Sequence, residues 1–341
     1  VSRRIAVLVV GSVLLLAFGV VGVVVPVPYV AQLPGPTYNT LGDIEGKQII
    51  TVTGRARNQV DGNLNLTTVG VSRRELSLVQ AVRGWFDREV SVVPYESVYP
   101  PDQTRQQTQD QNRQAFLTSE QSAEAAALGE LGYPDKVVVQ GLGDASPSAG
   151  KLQEGDALET LDGTPTPTTG ALDATLKAIP GGSTVTVGYT RLGQKGTATV
   201  TTAAAPDGQG SRLGVLVVEQ PSAPFTIDIN VADVGGPSAG LMLSLGILDL
   251  VGDTDLTHGA KVAGTGTIDA AGKVGPIGGI QLKMVAAHDI GAKLFLVPAD
   301  NCAEALAAPQ PGLTMARVST LDDALTALSD LRAGRTPVGC R

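Results

Sequence analysis

Charge of either sign is missing from Ile5 to Val25, and positive charge is scarce elsewhere: 25 Lys and Arg stand against 33 Asp and Glu, a net charge of −8. Nucleic-acid binding needs a basic face, so this balance argues against it; the acidity itself reads as solubility. Histidine occurs only at His258 and His288, and no His or acidic cluster has metal-ligand spacing. Aromatic residues make up only 4% of the chain, so its cores must be built from Val, Leu, Ile and Ala. Two cysteines, Cys302 and Cys340, leave room for one disulfide tying down the tail, or for two unpaired thiols. Neither has a neighbouring histidine or a nucleophile turn, which argues against a catalytic cysteine.

The uncharged stretch predicts a helix of roughly 31 Å, the thickness of a bilayer's hydrocarbon core. Arg3 and Arg4 precede it, so the positive-inside rule puts residues 1–4 in the cytoplasm, a membrane anchor at 5–27 and everything after it outside. A cleaved signal peptide is the competing reading, but the apolar run is long for one and Tyr29-Val30-Ala31 is a poor cleavage site. The 341 residues suffice for two modest domains.

Pro26, Pro28, Pro34 and Pro36 predict an extended stalk after the anchor. Ile49–Thr53 and Leu64–Val69 alternate and are rich in β-branched residues, hence strands. Leu76, Val79, Val82 and Phe86 have helical spacing. Residues 100–113 are polar and glutamine-rich, which predicts a mobile loop. Ser119 then reads as the cap of a helix ending at Leu131-Gly132.

From 134 to 203 the order is a strand at Val137–Val139, Ser146-Pro147-Ser148-Ala149-Gly150, Leu152 and Glu154-Gly155-Asp156, a turn at Asp162-Gly163, a helix near 171–179 and strands near 185–189 and 197–201. This unit resembles a bacterial PDZ domain. The resemblance implies binding of peptide termini by strand addition, with Leu131-Gly132-Tyr133 as the candidate carboxylate loop; a mere spacer is the alternative.

Two further motifs bear on chemistry. Gly235-Gly236-Pro237-Ser238-Ala239-Gly240 opens an apolar run to Val251, and Gly275-Pro276-Ile277-Gly278-Gly279-Ile280 leads to Lys283 and Ala286-Ala287-His288. Glycines allow a tight turn and close approach of a substrate. Pro237 suits a first helical turn, placing Ser238 at a helix N-terminus, and the amides around Gly235, Gly236 and Ala239 are suited to an oxyanion. Serine needs a base, and a lysine serves only if burial or a helix N-terminus lowers its pKa; apolar Ile280, Leu282 and Met284 flank Lys283.

In their order and flanks the two motifs resemble the proteolytic domain of Lon-type serine endopeptidases, and the whole chain resembles their membrane-anchored, PDZ-containing relatives that lack an ATPase. The resemblance implies an α+β Lon-type domain at 206–333 resuming at Leu213, with its first segment in 28–133, the PDZ domain inserted between them, and a tail at 334–341. It implies a Ser238 nucleophile, Lys283 as general base and acid, and Thr265 as support. It implies further that hydrolysis needs no ATP, metal or other cofactor, that substrates are unfolded or membrane-proximal polypeptides, and that copies self-associate without a fixed subunit count. The family's aspartate three residues before the serine is Gly235 here, and Asp233 lies two residues further back. A Ser-His-Asp triad through His258 or His288 fits poorly. Residues 266–273 lack the glycine spacing of a phosphate loop, and no Ser or Thr follows Lys273. An inactive PDZ scaffold of the envelope and a self-processing protein are the alternatives in function.

Overall fold

The structure, a computed structural model, describes residues 3–206, 208–231 and 234–341. Its main elements follow in chain order: α1 (Arg3–Val24), β1 (Tyr29–Asn39), β2 (Ile50–Thr53), β3 (Asn63–Val71), α2 (Leu78–Phe86), β4 (Ser91–Pro94) and α3 (Arg105–Glu130). Next come β5 (Asp135–Leu142), β6 (Ala157–Leu161), α4 (Thr169–Lys177), β7 (Thr184–Arg191), β8 (Gln194–Thr201) and β9 (Val215–Pro221). The remainder supplies β10 (Thr226–Ile229), α5 (Gly240–Val251), β11 (Lys261–Gly264), α6 (Ile280–Asp289), β12 (Leu294–Pro298), β13 (Thr314–Val318) and α7 (Leu321–Arg332).

Two sheets dominate this α+β architecture. The first runs β13-β12-β11-β3-β1-β4. Its four strands from β13 to β3 are parallel, and β1 and β4 join antiparallel. Alternation along each strand sends side chains to opposite faces. Val262, Leu294 and Leu296 meet α3, α5 and α7 on one face, while Ala263, Phe295 and Val297 meet α6 on the other. Every residue of α5 is buried, as a helix apolar on nearly every side must be; of its polar side chains, Ser244 donates to the Ala123 carbonyl and Asp249 accepts from the Leu256 amide. β3 pairs with β11, and β2 with β10, so segments before and after the second sheet form one fold. The second sheet, β8-β7-β6-β5-β9, is antiparallel and has its own core of Val137, Leu158, Leu161, Leu172, Val185, Val187, Val200 and Leu213.

Several expectations are corrected. The proline-rich stalk is strand β1, where Pro34 and Pro36 sit at a register shift beyond the residues that pair with β4; missing amide donors are tolerated at such a place. The glutamine-rich loop is the start of α3, capped at Thr104 with Gln107 bonding back to the cap. Ser119 is therefore a mid-helix residue. The unit placed at 134–203 continues through β9 to Pro221, so Leu213 belongs to its core and the first fold resumes after 221. A disulfide joins Cys302 to Cys340 and ties the tail to the α6 side of the first sheet.

Among the described residues one helix, α1, is long and apolar enough to cross a membrane by length and composition.

Candidate active site

The loop before α5 is fixed by backbone demands. Gly236 has φ +84°, a conformation that favours glycine, and its N–H donates to the Asn112 carbonyl of α3. A Cβ on Gly235 would stand 3.0 Å from Asn112 Cβ, so a side chain at this position would press on α3. Asp233 lies outside the described residues. The Ser119 hydroxyl, buried in α3, donates to the Pro237 carbonyl at 2.9 Å. The Ser238 carbonyl accepts from the Gly266 amide and from Thr265 Oγ1, both at 3.0 Å.

α5 starts later than expected. Ala239 is its cap and Gly240 its first residue, so Pro237 and Ser238 form the turn ahead of the helix rather than its first turn. Ser238 still lies beside the positive end of the helix dipole. Of the glycines singled out for an oxyanion, Gly236 has its amide committed to Asn112.

α6 enters from Gly279, at φ +69°, where a Cβ would come within 2.9 Å of Val69. Lys283 follows in the first turns and is 3% exposed. Its Nζ lies 2.8 Å from Ser238 Oγ and 2.9 Å from Thr265 Oγ1. Burial lowers the Lys283 pKa from 10.5 to about 8, because the ammonium loses its hydration. Thr265 has one hydroxyl proton and donates it to the Ser238 carbonyl, so towards Lys283 it can only accept. A neutral amine can thus donate to Thr265 and aim its lone pair at the Ser238 hydroxyl.

Ser238 and Lys283 line a cleft of about 670 Å³ with Thr67, Thr68, Val69, Gly70, Pro276 and Ile277. β11 ends at Gly264 opposite Leu66, whereas β3 continues to Val71. Beyond Leu66, β3 thus has no ladder partner on that side among the described residues.

Other singled-out residues lie elsewhere. His258 is on a distant turn, its N–H bonded to Asp255, and His288 is exposed near the far end of α6. Leu131-Gly132-Tyr133 is a helix stop and not a carboxylate loop. Gly132 has φ +76°, the Tyr133 amide returns to the Leu128 carbonyl, and the Tyr133 ring packs edge-on against Phe225. The groove of the second sheet, about 510 Å³, lies between α4 and edge strand β9, and Arg212-Leu213-Gly214 leads into it. Gly214 has φ +71° and packs on Pro147. The signal was a glycine directly ahead of the strand Val215–Pro221. Asn112 and Ser119 were missed as supports of the serine loop, because nothing in the sequence relates them to Gly236 and Pro237.

Residues 230–329 match the Lon protease (S16) C-terminal proteolytic domain. Among curated proteins, the chain is 37% identical over 94 residues to the Lon protease of Campylobacter concisus, covering 26% of this chain and 11% of that protein. It is 36% identical over 102 residues to the Lon protease of Phenylobacterium zucineum, covering 29% and 13%. The chain therefore spans only about a tenth of the length of these relatives. Among solved structures, it is similar to the PDZ domain of an SdrC-like protein from Listeria monocytogenes (22% identity, 25% of this chain and 88% of that one, TM-score 0.23). A PDZ domain of an SdrC-like protein from Listeria innocua is similar at 25% identity, with 24% and 93% covered and TM-score 0.23.

Proposed function

We propose that this chain, with its Lon-type stretch at residues 230–329, is a membrane-tethered serine endopeptidase that cleaves polypeptides outside the cytoplasm without ATP. One observation carries the reading: a buried lysine amine, its pKa lowered to about 8, within 2.8 Å of a serine hydroxyl in an open cleft.

In the reaction, neutral Lys283 takes the Ser238 proton as Oγ attacks the scissile carbonyl. The ammonium then returns that proton to the leaving amine, and water, deprotonated in the same way, hydrolyses the acyl-enzyme. Backbone amides at Gly235 and Ala239 are the candidates for the oxyanion. Thr265 holds both the Ser238 carbonyl and the Lys283 amine. An extended substrate fits alongside Thr68–Val71, where β3 outruns β11 and main-chain pairing would place a carbonyl near Ser238. A PDZ-type second unit would take a polypeptide terminus between α4 and β9, with Arg212-Leu213-Gly214 as the carboxylate loop, and so select substrates or gate access. Helix α1 would hold the enzyme in the membrane, Arg3 and Arg4 keeping its start in the cytoplasm.

The test is full-length protein in detergent incubated with an unfolded polypeptide such as reduced casein. Cleavage that disappears in Ser238→Ala and in Lys283→Ala supports the reading. Persistence in both variants, or intact polypeptides with the unaltered enzyme, overturns it and leaves a tethered scaffold. Mass spectrometry of the same samples shows whether the chain cuts only itself.

A further inference from the structure

Helix α2 is packed the opposite way round from a helix of a soluble domain. Its small residues Ala81 and Gly84 face the protein, and a Cβ on Gly84 would stand 2.5 Å from Val92. Its large apolar residues stay largely exposed: Leu78 is 50% exposed, Phe86 86% and Trp85 57%, the Trp85 ring standing edge-on to Tyr29 at 5.8 Å, with Val79 and Val82 about 40%. Positions 78, 79, 82, 85 and 86 fall on one helix face. Five neighbouring apolar side chains on one short helix make a continuous patch, and a patch of that kind marks an interaction site.

The place of this patch identifies its partner. α2 begins where α1 ends: Pro26 bridges Ser77, and the Val27 amide donates to the Leu76 carbonyl. Val79 packs over Gly22, near the end of α1, where a Cβ would lie 3.5 Å from its methyl. The outward face of α2 is thus continuous with Val20, Val21, Val23 and Val24, the exposed last turns of the apolar helix. Around it, Arg73, Arg74, Arg83 and Arg88 exceed Glu75, Asp87 and Glu89, in a chain whose net charge is −8. Apolar side chains with Trp on one face and arginines at the margins fit the boundary between headgroups and acyl chains.

We propose that α2 is a second membrane contact, lying in the interfacial layer of the outer leaflet with Leu78, Val82, Trp85 and Phe86 inserted. It fixes the height and orientation of the first sheet above the membrane, which a single spanning helix would not. This rests on the reading of α1 as a membrane anchor.

Trp85 is the chain's single tryptophan, so fluorescence excited at the red edge, where the six tyrosines do not absorb, reports on this helix alone. The full-length protein is reconstituted into phosphatidylcholine–phosphatidylglycerol vesicles, with and without brominated acyl chains, and recovered by flotation. The expected result is blue-shifted emission, quenching by the brominated lipid and several-fold shielding from aqueous iodide. In Val82→Gln/Phe86→Gln the emission should move to the red and iodide access return, with casein cleavage unchanged. Protein that floats with Trp85 fully open to iodide overturns the inference while the anchor stands. Shielding from iodide without quenching by brominated lipid also overturns it, in favour of a protein partner such as a second copy. Protein that fails to float removes the anchor and the inference together.

Discussion

The two sheets differ in how far the chain travels to make them. The core of the second is drawn wholly from residues between Val137 and Val217. The first pairs Lys261 with Asn63 and Gly264 with Leu66, across the whole of the second unit. The candidate site inherits both habits. Ser238, Thr265 and Lys283 are close in sequence, but the turn that presents the serine hangs on Asn112 and Ser119, and Val69 packs against the glycine that leads to the lysine. The candidate reacting groups are local, whereas their support is not.

Five experiments would break or sharpen this contrast. The largest effect is on folding. Residues 134–222 expressed alone should give a cooperative thermal transition and dispersed amide resonances. Residues 222–341 alone should give neither, because β11 and β10 lose their partners β3 and β2. A folded C-terminal fragment would show that the long-range pairing is dispensable.

Replacing Cys302 and Cys340 by serine should lower the stability of the first fold by about 3–4 kcal/mol, from the loop-closure entropy returned to the unfolded chain. The second unit, probed by its own transition, should not change.

Lys283 is of nearly equal weight. Its folded pKa of about 8 lies below the ordinary 10.5, so between these values the unfolded chain binds more protons. Stability should therefore rise with pH across that window, by about 3 kcal/mol in all, and Lys283→Met should flatten the slope. Denaturant midpoints at pH 7.5 and 10 measure it. In the intact protein, kcat/KM of the proposed cleavage should climb about tenfold per pH unit below 8 and level off above.

Thr265→Val removes both the acceptor for Lys283 and the clamp on the Ser238 carbonyl. Hydrogen bonds to a group that becomes charged are worth about 1.5–3 kcal/mol, so kcat should fall roughly 10- to 100-fold; an unchanged kcat would assign Thr265 to packing alone. The smallest effect is that of Ser119→Ala, about 1 kcal/mol of stability from one lost hydrogen bond, with a modest fall in kcat and no change at the α4–β9 groove. Equal loss in peptide binding at that groove would mean that the two regions are coupled.

Much of this was legible in residue order. The alternation of Ile49–Thr53 and Leu64–Val69, the largely apolar run into Val251 and the glycines before Ser238 and Lys283 each state a local preference that packing did not overrule. Errors arose where packing outweighed local composition. Prolines in β1 were absorbed by a bulge, a polar stretch became the exposed start of α3, and Ser119 turned from a cap into a buried donor. Residue order points to a candidate carboxylate loop ahead of the first strand of its unit, but the last strand, β9, lies at the edge of that sheet beside α4.

By itself the sequence determined which groups could react and which stretches were apolar, because nucleophile turns, helix runs and a charge-free segment are written in neighbouring residues. Only the tertiary structure decided that the lysine is buried, that its amine meets the serine at 2.8 Å, and that the large side chains of α2 are left largely exposed. Desolvation, distance and exposure depend on what the rest of the chain places around a residue, and no local pattern encodes them.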